Sequence, residues 1–138
     1  QADVIMSYLD DALDLMMYSD IHRKWSVGDL HRLIIPPISL GQFGFLRTGG
    51  KPVSLLTWAW LTKEAEKGYI EGTRKIQPKD WDAGDELWVV DFIAPFGRVR
   101  EAVAYFKQFE FLHKAKFRRS HSPKVVRAKG RLVNGRRG

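Results

Sequence analysis

One carboxylate, Asp91, stands within the apolar run Leu-Trp-Val-Val-Asp-Phe-Ile-Ala that precedes Pro95-Phe-Gly97. A short apolar run that ends in proline and glycine is typical of a buried strand followed by a turn. Burying an unpaired carboxylate costs several kcal/mol or forces it to take up a proton. We therefore expect Asp91 to have a partner or a chemical role.

A second cluster, Ser19-Asp-Ile-His-Arg-Lys-Trp25, supplies a histidine that can accept protons. The unperturbed pKa of imidazole, near 6.5, makes His22 competent as a general base at neutral pH. A carboxylate on its other ring nitrogen, such as Asp91, would fix the tautomer and strengthen the base. The two residues are too far apart in the chain for spacing to establish this contact. Ser19 as a capping residue and His22 as an ordinary surface residue fit the sequence equally well.

Composition excludes several kinds of site. The chain has no cysteine, so disulfides, thiolate catalysis and cysteine-zinc sites are ruled out. The other histidines, His31, His113 and His121, lie beside no run of carboxylates and show no metal-ligand spacing. No metal site is predicted, and any nucleophile must be of a kind other than cysteine.

The junction after the Asp91 strand is a candidate phosphate site. Its residues are Ala94, Phe96, Gly97 and Arg98, and a strand that feeds the amino end of a helix presents free backbone N–H groups to an anion. The phosphate of a pantetheine arm suits such a site. Ordinary turn chemistry explains the proline and the glycine as well.

Hydrophobic periodicity predicts a mixed order of helices and strands. Apolar residues recur at helical spacing over residues 3–18, and Ser26 and Asp29 resemble a capping box that opens a short helix ended by Pro36-Pro37. The remaining predicted elements are strands at 42–47 and 52–61 joined by a turn at 48–51, a brief helix from 62, the Asp91 strand, a helix at 98–112, and strand-like segments at 114–119 and 124–128. This order favours one α/β or α+β domain with a single sheet and helices packed on it.

The bulk properties suit one domain over residues 1–138. The chain has 138 residues and is 44% hydrophobic, which is enough for a real core. No apolar run approaches the roughly 18 to 20 residues that span a bilayer, and no signal-peptide pattern is present, so we expect a soluble, non-secreted protein. The first residue is Gln1, which indicates a trimmed amino terminus.

Basic charge is concentrated at the carboxyl end. The net charge is +7, yet 10 of the 23 Lys and Arg residues and none of the 16 acids follow Glu110. The basic segment, residues 114–138, suits contact with an acidic protein, an anionic membrane or nucleic acid. A simple solvated end fits it equally well.

Three motifs in a fixed order carry a family resemblance. They are Ser19-Asp-Ile-His-Arg-Lys-Trp25, Pro52-Val-Ser-Leu-Leu-Thr-Trp58-Ala and Trp81-Asp-Ala-Gly-Asp-Glu-Leu-Trp88-Val-Val-Asp91-Phe-Ile-Ala-Pro-Phe-Gly97. Over about residues 1–113 the chain resembles the toxin-activating lysine acyltransferases, which accompany RTX toxins.

The resemblance implies a bacterial cytoplasmic enzyme that moves a fatty acyl group from acyl carrier protein to internal lysines of a protoxin. It implies a fold similar to Gcn5-related N-acyltransferases, with a central mixed sheet flanked by helices, and a tendency to form homodimers. Acyl carrier protein, as its phosphopantetheine thioester, would be the co-substrate, with no tightly bound cofactor. The family's catalytic histidine, serine and aspartate fall on His22, Ser19 and Asp91.

Chemistry gives each of these residues a role. A lysine with a pKa near 10.4 must lose a proton before it attacks a thioester, and His22 would take it while Asp91 orients the imidazole. Backbone N–H groups near the strand end would bind the thioester oxygen. Direct transfer is the preferred route, and an acyl-histidine intermediate stays open. Core packing is the default interpretation of the aromatic residues, although an acyl-chain slot could be lined by Trp58, Trp60, Trp88, Phe92 and Phe96.

Two rival interpretations remain. One is a small nucleic-acid-binding module that uses residues 114–137 with Phe117 as a stacking strip, but it leaves Asp91 and His22 without a role, so nucleic acid is not the expected partner. The other is an inactive acyltransferase-like scaffold. An acidic carrier protein could dock on the basic segment or on Arg98 and Arg100, and lipid headgroups would compete in a weak membrane contact.

Overall fold

The structure, a computed structural model, describes residues 2–118 and 125–127. Over these ranges the five α-helices are α1 (Ala2–Met17), α2 (Val27–Leu33), α3 (Ile35–Leu40), α4 (Lys63–Glu71) and α5 (Val99–Phe106). The five strands are β1 (Phe43–Thr48), β2 (Lys51–Leu61), β3 (Glu86–Ile93), β4 (Lys116–Arg118) and β5 (Val125–Arg127). Short 3-10 helices occupy His22–Lys24, Pro78–Asp80 and Glu110–Lys114. No helix within the described ranges combines the length and apolarity that crossing a bilayer requires.

The strands form one mixed sheet in the order β1-β2-β3-β4-β5. Antiparallel pairing joins β1 to β2, β2 to β3 and β4 to β5, whereas β3 and β4 run parallel with Trp88 opposite Lys116. A parallel pair needs a crossover connection, and α5 lies in that connection. The predicted α+β domain with a sheet flanked by helices is confirmed. Its likeness to Gcn5-related acyltransferases stays a prediction.

Both faces of the sheet are covered by apolar side chains. One face packs against α5 in a cluster that contains Leu46, Leu56, Leu87, Val89, Ala102, Phe106 and Leu112. The other face packs against α1 and α3 in a cluster that contains Ala12, Leu15, Ile38, Phe45, Leu55 and Ile93. Farther along that second face, α4 packs in a third cluster that contains Leu61, Ala65, Ile76, Trp81 and Trp88.

Strand β3 contains an extra residue beside Asp91. Thr57 of β2 lies opposite Asp91, but the next residue, Trp58, lies opposite Val89, so Val90 has no partner of its own in the register. Such a β-bulge changes which face of the sheet the following side chains occupy.

The bulge decides where Asp91 points. Before it, Val89 packs on the α5 face and Val90 on the opposite face; after it, Phe92 is on the α5 face and Ile93 on the opposite face. Unbroken alternation would have placed Asp91 on the α5 face with Val89. The extra residue instead turns Asp91 toward the face on which its side chain meets His22.

The predicted first two helices are present, but Pro36 and Pro37 do not end the second one. Ser26 and Asp29 form the capping box, with each side chain bonded to the other residue's backbone N–H. Helix α2 ends at Leu33, and both prolines belong to the first turn of α3. Proline is tolerated there because the first N–H groups of a helix have no intrahelical partner.

The prediction of one helix over residues 98–112 is wrong, because the observed helix is shorter. Helix α5 ends at Phe106, and a separate 3-10 helix follows at Glu110–Lys114. Phe109, between them, has an extended backbone at φ −89 and ψ 97. The apolar period continues past the end of α5 because Leu112 still packs into the same cluster as Phe106. The strand-like segments at 114–119 and 124–128 appear as β4 and β5 over the residues that the structure describes.

We expect Gly84→Ala to destabilise the turn that leads into β3. A Cβ atom at this position would lie 2.4 Å from the backbone oxygen of Leu61 and 2.6 Å from the Cα of Thr62. Overpacking against backbone should lower the free energy of unfolding by roughly 1–3 kcal/mol, measured by urea denaturation. Gly28→Ala is the matched control, because its Cβ would meet only the Oγ of Ser26 at 3.5 Å. That variant should be neutral or more stable, and equal losses in both would contradict the prediction.

Candidate active site

Ser19 and His22 lie in the turn that follows α1. The backbone N–H of Ser19 bonds to the Met16 carbonyl at 3.1 Å, and that of Arg23 bonds to the Ser19 carbonyl at 2.9 Å. These bonds form the turn that leads from α1 into the 3-10 helix beginning at His22. The His22 N–H also donates to the Ser19 Oγ at 3.3 Å. Ser19 therefore does bond to the turn's backbone, and its hydroxyl lies beside the imidazole ring.

The imidazole of His22 is held from both sides. Its Nδ1 lies 2.6 Å from the Ser19 Oγ, and its Nε2 lies 3.3 Å from the Asp91 Oδ1. The Trp25 ring packs against the imidazole with centroids 4.6 Å apart. The side chains of His22 and Asp91 are only 12% and 15% exposed. The structure thus brings together the three residues that the sequence predicted for catalysis.

This geometry fixes the histidine tautomer when Asp91 is ionised. A carboxylate only accepts hydrogen bonds, so Nε2 must carry the proton that faces Asp91. In the neutral ring, Nδ1 then has the free lone pair and accepts the Ser19 O–H. The basic nitrogen of His22 is therefore the one beside Ser19, and Asp91 stabilises the imidazolium that forms when Nδ1 takes up a proton.

Asp91 is supported by the bulge as well as by His22. Its backbone N–H donates to the Thr57 Oγ1 at 3.1 Å, and Thr57 is fully buried. Burial raises the pKa of the Asp91 carboxyl above its usual value of 3.8, while the hydrogen bond and charge of His22 oppose that rise. Thr57 lies within the second sequence motif, but sequence reasoning gave it no role because a bulge leaves no signal in residue types.

Tyr69 of α4 also lies near the carboxylate. Burial, together with the negative charge of Asp91, raises the pKa of its hydroxyl to about 12, although Arg118 opposes the shift. The phenol therefore keeps its proton at any physiological pH and remains a hydrogen-bond donor. Sequence reasoning missed it.

Two clefts contain residues of this site or lie next to it. The basic cleft, about 240 Å³, is lined by Asp91, Tyr69, Arg32, Arg74, Lys75, Arg118 and neighbouring apolar residues. The α1 groove, about 590 Å³, is lined by Asp11, Asp14, Leu15, Tyr18, Val53, Phe96 and the turn between β1 and β2. Tyr18 directly precedes Ser19, so the α1 groove begins beside the His22 turn.

The predicted phosphate junction is a tight turn ahead of α5. The Gly97 N–H bonds to the Ala94 carbonyl at 3.3 Å, and Gly97 and Arg98 have positive φ angles of 77° and 59°. The Arg98 guanidinium pairs with Glu101. Phe96 is 49% exposed, and its ring centroid lies 5.2 Å from that of Tyr18 in the α1 groove, with the ring planes tilted by 50°. The junction thus gives one aromatic residue to a cleft beside the site.

The other aromatic residues considered for an acyl slot pack in the core. Trp88 is fully buried, with its Nε1–H bonded to Glu66 at 2.8 Å. Trp58, Trp60 and Phe92 pack against the cluster under α5. Core packing is therefore the correct interpretation of these four.

The basic segment is only partly described. Within β4, Lys116 is buried and pairs with Glu66 and Glu86, and Phe117 is 8% exposed. Arg118 donates to the Tyr69 carbonyl at 2.7 Å. The stacking role suggested for Phe117 is wrong, because a buried ring has no free face for a base. Residues 119–124 and 128–138, with most of the basic segment, lie outside the described residues.

No cluster of three or more potential metal ligands occurs among residues 2–118 and 125–127. The described side chains near His22 offer hydrogen bonds and charge instead. They suit proton transfer at His22 and recognition of polar groups in the adjoining clefts.

Comparison with known proteins identifies the family of this chain. The sequence model of the RTX toxin acyltransferase family matches residues 5–133, nearly the whole chain and all three motifs. The chain belongs to this family. The match includes Ser19, His22 and Asp91 within one continuous region.

Three curated relatives have informative names. The RTX-II toxin-activating lysine-acyltransferase ApxIIC of Actinobacillus pleuropneumoniae is 43% identical over 79 residues, which are 57% of this chain and 49% of the relative. The protein-lysine palmitoyltransferase CyaC of Bordetella bronchiseptica is 39% identical over 84 residues, 61% of this chain and 45% of the relative. The lysine-acyltransferase RtxC of Vibrio cholerae is 29% identical over 109 residues, 78% of this chain and 71% of the relative. The match spans about half the length of the first two relatives.

We expect the stability of Asp91→Asn relative to the parent to increase as the pH rises from near the unfolded pKa through the folded pKa of Asp91. Burial raises the Asp91 pKa, so the folded parent binds its proton more tightly than the unfolded chain does. The parent therefore loses stability as the pH rises from near the unfolded value of 3.8 through the folded pKa, while asparagine does not titrate. The measurement is urea unfolding of both proteins from pH 4 to pH 8.

The exposed Asp85 provides the control for this comparison. Asp85→Asn makes the same chemical change at an exposed position, and the pH trend of Asp91→Asn is measured relative to it. A stability difference for Asp91→Asn that grows toward acid would show that Asp91 stabilises the fold in its ionised form.

Proposed function

We propose that this chain is a protein-lysine acyltransferase that moves a fatty acyl group from acyl carrier protein to the ε-amino group of internal lysines on a protoxin. The observation that carries the proposal is the Ser19, His22 and Asp91 constellation, held within hydrogen-bond distance inside the region that matches the family. The relatives are named for lysine acylation and toxin activation, which supports the same reaction. The proposed setting is the bacterial cytoplasm.

Deprotonation of the acceptor is the step that needs a base. A lysine ammonium cannot attack a thioester, and its pKa near 10.4 leaves almost no free amine at neutral pH. His22 accepts the proton at Nδ1, and Asp91 stabilises the resulting imidazolium through Nε2. The amine nitrogen then attacks the thioester carbonyl carbon and the C–S bond breaks. The second amine proton passes to the pantetheine sulfur, which leaves as the thiol as the amide forms, and His22 returns its own proton to solvent.

Ser19 lies between the acceptor and the base. Its hydroxyl occupies the lone pair of Nδ1 at 2.6 Å, so an incoming amine meets the Ser19 oxygen before it meets the ring. A proton of the lysine ammonium passes to the Ser19 Oγ while the Ser19 hydroxyl proton passes to Nδ1 of His22. This relay gives the serine a role in rate as well as in capping.

The donor would approach from the carboxyl end of β3. Backbone N–H groups there and at the amino end of α5 suit the thioester oxygen and the pantetheine phosphate, with Ala94, Phe96, Gly97 and Arg98 as the candidate contacts. The acyl chain would lie in the α1 groove, whose apolar lining includes Leu15, Val53 and Phe96 and whose volume falls in the range of ligand pockets. Exposed Arg98 and Arg100 would meet the acidic carrier protein.

A homodimer and a membrane contact also remain predictions. A homodimer and a weak membrane contact rest on the family resemblance and on the basic segment. Among the described residues of the basic segment, Phe117 and Lys116 are committed to the sheet and do not support the nucleic-acid module.

His22→Ala should lower lysine acylation by about 100-fold or more, the usual loss when a general base is removed. Purified chain is mixed with acylated carrier protein and a protoxin, and mass spectrometry measures the acyl mass on the protoxin and locates the modified lysines. His31→Ala is the matched control, since His31 is exposed on α2 and outside the site. The function fails if the parent transfers no acyl group, and the role of His22 fails if folded His22→Ala acylates at the parent rate.

Ser19→Ala should lower kcat by about 100-fold with little change in the KM for the carrier protein, because a proton relay acts in the transition state. A purely capping serine would contribute only about 1 kcal/mol to stability. Ser26 is such a serine, since its Oγ accepts the Asp29 N–H at 3.0 Å and has no part in the proposed proton relay. Ser26→Ala should therefore lose stability but keep the parent kcat. Ser19→Thr, which retains a hydroxyl, should recover part of kcat. A kcat of Ser19→Ala close to that of the parent would contradict the relay and leave Ser19 with a capping role only.

A further inference from the structure

The basic cleft holds more positive charge than its neighbours balance. Four of its lining residues are cationic: Arg32, Arg74, Lys75 and Arg118. Arg32 is balanced by Asp29 at 3.1 Å, and Arg74 is balanced by Asp80 at 2.9 Å. These two pairs shape the wall of the cleft and leave little charge for a ligand.

The other two cations have no carboxylate partner among the described residues. Arg118 donates to the Tyr69 carbonyl, and its guanidinium lies 5.0 Å from the centre of the Tyr69 ring. Lys75 is exposed, and in the part of the chain that the structure describes its ammonium makes no hydrogen bond or ion pair. Asp91, the acid that lines the cleft, bonds to His22 and sets one negative charge against the two positive charges of Lys75 and Arg118. The cleft is therefore set up to receive an anion.

The size and donors of the cleft indicate a small anionic group. At about 240 Å³ it is smaller than the roughly 300–1,000 Å³ of pockets that enclose a whole cofactor. Arg118 and Lys75 supply charged N–H donors, and Tyr69 keeps its phenolic proton. Charged donors of this kind bind carboxylates and phosphates strongly.

We propose that the basic cleft binds a carboxylate carried by the acceptor segment close to its target lysine. The inference rests on the proposed function, since it takes the acceptor lysine to react beside His22. It assigns to Lys75 and Arg118 a part in selecting which lysine is modified.

The position of Asp91 favours the acceptor over the donor as the source of the anion. Asp91 lines the same cleft as Lys75 and Arg118 and also bonds to the imidazole that receives the proton. In an extended segment a side chain two residues from the lysine lies about 7 Å away on the same side, so both can be in place together. The donor's phosphate is separated from its thioester by the whole length of the pantetheine arm. Because the cleft lies directly beside Asp91 and His22, a phosphate bound there would place the thioester beyond His22.

The test uses two ten-residue acceptor peptides with one central lysine, identical except for Glu or Gln two residues after it. Isothermal titration at low salt measures the affinity of each peptide for the parent chain. We expect the Glu peptide to bind about tenfold more tightly, the effect of one charge-assisted hydrogen bond. Lys75→Gln should remove most of this preference, and because Lys75 is exposed the variant should fold normally. Lys67→Gln is the matched control: it makes the same change at an exposed lysine of α4 that does not line the basic cleft, and it should keep the preference.

Several outcomes overturn the proposal. These are equal affinity of the parent for both peptides, binding of neither, or a preference that survives Lys75→Gln.

Titration with 4′-phosphopantetheine tests the donor as the source, and tight binding that Lys75→Gln abolishes would assign the cleft to the donor instead. The acylation assay separates this inference from the proposed function. A charge preference without acyl transfer supports the cleft and rejects the transfer reaction, whereas acyl transfer without a charge preference rejects the cleft alone.

Discussion

The contact between Asp91 and His22 depends on one extra residue in β3. A carboxylate in the middle of a sheet is costly unless it finds a partner, and regular alternation would have turned Asp91 toward the apolar cluster under α5. The bulge at Val90 rotates it to the opposite face, where the turn after α1 brings His22 within 3.3 Å. Thr57 then accepts the Asp91 N–H and satisfies a backbone group in the disturbed register. The local irregularity of the strand thus creates the site.

Two clefts of different chemistry adjoin this pair. The basic cleft contains Asp91 itself and two cations that pair with no carboxylate in the described part of the chain, whereas the α1 groove combines apolar side chains with Asp11 and Asp14. The proposed transfer reaction needs two substrates at one reacting centre, and clefts of different character allow each substrate to be recognised separately. In the proposed arrangement the acyl chain occupies the larger apolar groove and the acceptor segment contacts the smaller basic cleft.

Charge within the fold has a structural role as well. Lys116 of β4 is buried beside Trp88 and pairs with Glu66 of α4 and Glu86 of β3. Burial alone would lower the pKa of Lys116, but hydrogen bonds to the two glutamates outweigh it and raise the pKa. A buried ion pair contributes little net stability, yet breaking one partner is costly because it leaves a buried charge uncompensated. This cluster joins β4 to the sheet where the parallel pair begins, which places Arg118 at the basic cleft.

The sequence by itself determined the elements and the identity of the reactive residues. The hydrophobic period of α1, the Ser26 capping box and the glycine turn between β1 and β2 are local features, so residue types near one another in the chain suffice to predict them. Ser19, His22 and Asp91 were predicted because their side chains carry the relevant chemistry. Their contact, the bulge that aims Asp91, and the joining of Tyr69, Lys75 and Arg118 into one cleft were decided only by the tertiary structure. These features depend on strand register and on packing between segments distant in the chain, which no local pattern of residue types encodes.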